Sequence, residues 1–246
     1  MRLWNDLLAA VQFSTRLPVP VYSHHESTLA RAAKFFPVVG LAIGAAGSAL
    51  YFLFPGSVNA QIRSLALLIF FVLITGGLHE DGLADAADGF GGGHTRERVL
   101  EIMRDSRIGS FGGTALVLSL LTRFVLLSNL PSGRIWPYVV SAHVLSRWST
   151  LPLGFALPSA RVEAPGSGAR IAQRITLGSL TFATVFVIVV EALLLGREAW
   201  LPFSRAVALT ALTGLYYRLR IGGVTGDCFG ATNQLVEITT YFCGCF

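Results

Sequence analysis

The sequence predicts an all-α, polytopic integral membrane bundle of about six to seven transmembrane helices, and three observations carry that prediction. Of 246 residues, 53% are hydrophobic and only 13% charged, roughly half the charge of an ordinary soluble domain. Six apolar runs approach the about 20 residues that a helix needs to cross a bilayer core. These runs are about twice the length of a barrel strand, and an open sheet cannot satisfy its backbone in lipid. No internal repeat or composition shift divides the chain, so residues 1–246 are expected to form one membrane-embedded domain.

Along the chain, Met1 to Pro20 holds Trp4, Asp6 and Arg16 rather than a cleavable signal. Leu3, Leu7, Ala10 and Val11 follow helical spacing, which suits an amphipathic interfacial helix ended by Leu17-Pro18-Val19-Pro20. The expected spans are Phe35 to Phe54, Ile62 to Leu78, Gly109 to Leu130, Ile135 to Leu157, Ile175 to Gly196 and Leu201 to Tyr217. The tail from Cys228 to Phe246 is shorter, more polar and carries Glu237, so the sequence leaves open whether it is a seventh span. Cys228, Cys243 and Cys245 lack the spacing of a zinc site and are expected as free thiols. The loop Pro158 to Arg174 contains Pro165-Gly166-Ser167-Gly168 and reads as a flexible connector.

The net charge of +5 raises the question of nucleic acid, and the placement of the cations answers against it. With a cytoplasmic N-terminus, thirteen Lys and Arg fall on the cytoplasmic side and three, Arg63, Arg134 and Arg197, on the other. This is a positive-inside bias. It puts the chain in a cell inner membrane, in contact with lipid, with its acidic loop 79–108 facing the cytoplasm.

That loop is the densest chemistry in the chain. Glu80, Asp81, Asp85, Asp88, Glu97, Glu101 and Asp105 are seven of the fourteen acids. Asp81, Asp85 and Asp88, spaced i, i+4 and i+7, share one helical face. Their repulsion is relieved by a hard cation, and Mg²⁺ takes one or two carboxylates together with waters and substrate phosphates. Gly82 and Gly89 beside the acids suit close approach of a substrate. Thr95 is a good N-cap for a second helix, Arg96 to Asp105, and Gly91 to Gly93 should break the first. Glu97 and Glu101 have arginines at pairing distance, whereas Arg104-Asp105-Ser106 runs into Gly109, Gly112 and Gly113. Free N–H groups at such a helix start suit phosphate, although the same glycines also suit tight helix packing.

A further cluster, Gly222 to Asp227 with Thr225 and Gly226, follows Arg218 and Arg220 and can bind phosphate, complete the metal site, or serve only as an interhelical turn. Arg147, inside a predicted span one turn after His143, must face a polar cavity or an acid. The five histidines show no spacing that converges on zinc.

Together these residues resemble the cobalamin synthase family, the adenosylcobinamide-GDP ribazoletransferases. The likeness covers most of the chain, through Phe13 to Pro20, Phe36-Pro37-Val38-Val39-Gly40, Glu80 to Asp85, Asp88-Gly89, Arg104-Asp105-Ser106 with Gly109, Ser146-Arg147 and Gly223 to Ala231. The resemblance implies a Mg²⁺-dependent transfer in which α-ribazole, or its 5′-phosphate, attacks the cobinamide-linked phosphorus of adenosylcobinamide-GDP and GMP leaves. It implies Glu80, Asp81, Asp85 and Asp88 as metal ligands, with Asp85, Asp88, Asp105 and Asp227 as catalytic groups. Gly82, Gly89, Arg104, Ser106, Gly109, Arg147, Thr225 and Gly226 would contact substrate. A homo-oligomer is compatible with the sequence.

Two rivals stand beside this reading. The CDP-alcohol phosphotransferase family shares the opening Asp85-Ala86-Ala87-Asp88-Gly89, but Gly92-Gly93 stand where its Ala-Arg should follow. A transporter would account for the spans and Arg147, yet the acids lie at the boundary rather than the midplane, and no repeated halves occur.

Overall fold

In a computed structural model of the chain, residues 2–20, 26–161 and 175–246 are described. Twelve α-helices are described: α1 (Arg2–Ser14), α2 (Glu26–Ala32), α3 (Phe36–Leu53), α4 (Ala60–Thr75), α5 (Leu78–Gly92), α6 (Arg96–Ile102), α7 (Ser110–Asn129), α8 (Ser132–Trp148), α9 (Thr150–Ala156), α10 (Leu177–Leu195), α11 (Trp200–Ile221) and α12 (Gly226–Gly244). Among the described residues the only extended pairing is a single parallel bridge between Ser159 and Val224. His24, His25 and residues 162–174 of the expected connector Pro158 to Arg174 lie outside the described residues.

Each of the six apolar runs forms a helix, with two shortened for identifiable reasons. The run expected to reach Leu78 stops at Thr75, because Gly76 and Gly77 both adopt left-handed φ, 66° and 71°. They turn the chain by 85° between α4 and α5. The run expected to reach Leu157 divides at Ser149, since Pro152 has no N–H to offer the carbonyl one turn back. The expected break at Gly91 to Gly93 falls at its last member: α5 runs through Gly92 and is capped by Gly93. Thr95 caps α6 as expected, accepting from the Arg98 N–H at 3.3 Å.

By length and hydropathy, Leu29–Leu53, Ser110–Asn129 and Leu177–Ile221 are apolar enough to cross a membrane, and the bent α4–α5 pair is one further candidate. The last of these segments contains α10 and α11, joined by a 3₁₀ turn at Gly196–Ala199. Their outward faces carry large apolar side chains, among them Leu53, Leu121, Leu193 and Leu219. Such continuous apolar cover belongs against lipid. α5, with four acids in 15 residues, is set apart from these apolar segments.

The tail is the clearest departure from its apolarity. It forms α12, a 19-residue helix with thirteen buried residues, packed against α5, α7, α8 and α11. Its polarity faces neighbouring helices rather than lipid, which is why hydropathy understates it. α8 is the second inner helix, buried continuously from Tyr138 to Trp148.

Small residues let α3 approach α8. A methyl group added to Gly40 would overlap the His143 carbonyl oxygen, and one on Gly44 would lie 2.7 Å from the Val140 Cα. Gly40→Ala is therefore expected to destabilise the protein by about 1–3 kcal/mol through overpacking. Gly56→Ala, with nothing within 4 Å of the added carbon, serves as the control in thermal unfolding of detergent-solubilised protein.

Candidate active site

The acidic helix is held at its start by a buried ionic group. Arg123 of α7 pairs with Glu80 of α5 at 2.9 Å and with Glu237 of α12 at 3.4 Å. Glu237 also accepts from the Tyr241 hydroxyl at 3.2 Å, and its other oxygen lies 3.9 Å from His143 Nδ1. Arg147 extends the group, its Nη1 2.9 Å from the same His143 nitrogen. Two arginines and two glutamates thus meet inside the helix bundle, joining α5, α7, α8 and α12. Glu80, expected as a metal ligand, thus has structural partners on one oxygen: Oε1 is engaged by the guanidinium and by the Gln234 amide at 3.4 Å, while Oε2 is buried without a hydrogen-bond partner among the described residues.

At the other end of α5, Asp88 accepts from the N–H groups of Gly109 at 2.7 Å and Gly112 at 2.8 Å. It therefore caps α7, satisfying donors that the sequence had suggested for phosphate. Gly89 also has a structural reason, since it lies where α5 meets Met103 and Val99 of the α6 region. Gly82 packs against Gly230, with an added Cβ only 3.1 Å from the Gly230 Cα. This backbone-to-backbone contact brings α5 onto the start of α12.

Asp81 and Asp85 are thereby set opposite Asp227. Burial first, then repulsion from Asp227, Asp81 and Asp88, raises the Asp85 carboxyl to about 7. Asp227 is fixed by the Thr225 hydroxyl at 3.1 Å and by Arg161 at 3.0 Å. Arg161 is a residue that sequence reasoning missed. It is delivered by the bridge at Val224, whose N–H donates to Pro158 O at 2.9 Å and whose carbonyl accepts from Ala160 at 2.9 Å. Gly223 permits the approach, as a Cβ there would overlap the Pro158 carbonyl. Only a pairing across some sixty positions reveals Arg161, and no local motif marks it.

Two cavities flank Asp81. One, about 280 Å³, is lined by Phe13, Phe36, Phe229, Arg147, Asn233, Arg161, Thr225, Gly226, Asp227 and Asp81 among others. The second, about 720 Å³, contains Arg16, Glu80, Asp81, Asp85 and Ser106. Asp105 stands apart from both, beside Asp88 in a shallow depression. Its carboxylate is bound by Arg107 at 2.6 Å, whose hydrogen bonds pull it down to about 2. Arg104 lies on an open surface near Arg96 and Arg161.

The donor set suits Mg²⁺ in one respect and not in another. Asp81 and Asp85 supply hard carboxylate oxygens in a place where like charges repel. Among the described residues, however, no three His, Cys, Asp or Glu side chains converge as a ready-made cage. Two carboxylates completed by substrate phosphates match the way Mg²⁺ is commonly held.

Arg123→Met would leave two glutamates buried without their cation and is expected to cost about 3–5 kcal/mol, read as a lowered unfolding midpoint in detergent. Asp85 makes a pH-dependent contribution of opposite sign to a salt bridge. Its ordinary value is 3.8 and its folded value about 7, so between these values the unfolded chain releases a proton that the folded chain keeps. Stability of metal-free protein should fall as pH rises through that window. Thermal unfolding in EDTA should show Asp85→Asn flattening this dependence.

Sequence comparison matches nearly the whole chain to named relatives. The chain is 39% identical over 239 residues to the adenosylcobinamide-GDP ribazoletransferase of Ralstonia pickettii, covering 96% of this chain and 93% of that protein. The protein of the same name from Leptospira interrogans is 35% identical over 248 residues, 97% of this chain and 94% of its own. That from Azorhizobium caulinodans is 42% identical over 251 residues, with 96% and 94% covered. No solved structure matches. The family model for cobalamin-5-phosphate synthase matches residues 6–245, and the chain belongs to that family.

Proposed function

We propose that the protein is a Mg²⁺-dependent transferase of the inner membrane that joins adenosylcobinamide-GDP to α-ribazole or α-ribazole 5′-phosphate, releasing GMP on the cytoplasmic side. The observation that carries this reading is the position of Asp81 between two cavities. A two-substrate transfer needs one charged centre reached from two sides. The names of the relatives supply the donor and the ribazole acceptor, and the family's description supports the phosphorylated product.

Asp81 and Asp85 are the carboxylates placed to hold Mg²⁺, which when bound would orient the diphosphate and offset its charge. The chain's own groups do the rest. Arg161 and the first N–H groups of α12 face the donor's phosphates. Asp227, held by Thr225 and Arg161, accepts the proton of the attacking ribose hydroxyl. Oxygen then bonds to the cobinamide-linked phosphorus as the bond to GMP breaks. Asp227 suits this role better than Asp105, because a carboxylate held at about 2 by Arg107 is a weak base. Glu80 and Asp88 act indirectly, fixing the two ends of α5.

The test is GMP release by purified protein from adenosylcobinamide-GDP, with each acceptor, with Mg²⁺ or with EDTA. Release is expected only with metal and acceptor present. Asp85→Asn should reduce it by at least about a hundredfold while leaving the folded protein intact. A CDP-lipid donor should give no CMP. Absence of GMP under every condition would refute the assignment.

A further inference from the structure

The smaller cavity holds polar groups for which the fold provides no use. Asn233 of α12 is 1% exposed, and among the described residues neither its amide nitrogen nor its carbonyl oxygen has a hydrogen-bond partner. Arg147 of α8 is 2% exposed, and its Nε is also without one among the described residues. Both line the same cavity. Buried amides and guanidiniums are nearly always satisfied, and leaving one without a partner costs free energy. Such groups lining a cavity are what a ligand edge would complete.

The lining also combines deeply buried and partly exposed polar groups. Asn233, Thr225 and Arg147 are 1–2% exposed, whereas Arg161 and Asp227 keep side-chain exposures of 15% and 19%. The same cavity is lined by Phe13 and Phe36, stacked with centroids 5.4 Å apart, together with Phe229. Aromatic side chains, a buried donor–acceptor group and a partly exposed cation in one cavity suit a planar base followed by a phosphate. At about 280 Å³ the cavity has the scale of a nucleotide fragment and is too small for a corrin ring.

We infer that this cavity binds the guanylyl half of the donor, with the lactam edge of the purine read by Asn233 and Arg147. The Asn233 carbonyl accepts the N1–H. Arg147, which can only donate, meets the O6 acceptor, the pairing that arginine makes with guanine elsewhere. Adenine would present its amino group to that guanidinium, donor against donor, and be rejected. The inference rests on the transfer reaction proposed above, but it concerns recognition rather than chemistry. Asn233 would be a specificity-determining residue, and no earlier motif includes it.

Equilibrium titration calorimetry of the full chain in detergent, with nucleotide monophosphates alone, separates the two claims. GMP and IMP, which share the lactam edge, are expected to bind at least about tenfold more tightly than AMP or N1-methyl-GMP. Asn233→Leu should weaken GMP at least about tenfold and bring GMP and AMP within about twofold of each other. Should that variant fail to fold, the comparison of GMP with N1-methyl-GMP on the unaltered chain decides the matter. Equal binding of GMP and AMP, or no binding of either, overturns the inference even if GMP release is observed. Selective GMP binding without any GMP release would uphold the site and sink the reaction.

Discussion

The arrangement depends on charge neutralisation inside an apolar bundle. Arg123, Glu80 and Glu237, continued through His143 to Arg147, come from four helices, and none of these groups can be left alone in so apolar a setting. A helix that shifted along its axis would separate a guanidinium from a carboxylate. The ionic group thus sets the register of α5, α7, α8 and α12 where nonspecific apolar contact cannot. It also explains how a helix as polar as α12 comes to lie inside the bundle, since its neighbours carry the matching groups.

This register reaches the candidate site within one residue. Glu80 holds Arg123 and shares the larger cavity with Asp81, which also lines the smaller one, so the bond network and the cavity lining share one turn of α5. Asp88 closes the other end by capping α7. Between the two anchors Asp81 and Asp85 have little freedom to move apart, and their mutual repulsion persists until a cation or a proton relieves it. The acids of this one short motif therefore include Asp88, which caps α7, Glu80, which both pairs with Arg123 and lines a cavity, and Asp81 and Asp85, which line the cavities.

Much of this was legible from residue spacing. The apolar runs, the break near Gly91 to Gly93, the Thr95 cap and the shared face of Asp81 and Asp85 are all local, and each follows from helical periodicity. What periodicity cannot carry is partnership. Nothing near Glu80 tells that its cation lies 43 positions later, and nothing near Arg161 tells that a backbone bridge to Val224 sets it on Asp227. The tail was ambiguous for the same reason: Glu237 argues against burial in lipid until Arg123 is placed beside it. The left-handed pair Gly76-Gly77 likewise reads as an apolar continuation until the turn is seen.

The contact of Gly82 with Gly230 sets the separation of the two helices that bear Asp81 and Asp227. Main-chain atoms touch there, so the spacing is defined by van der Waals radii and not by side chains able to change rotamer. A bilayer that thins or thickens can tilt the outer, lipid-facing helices. It has little purchase on two inner helices already at closest approach, which makes the geometry between the carboxylates insensitive to lipid composition.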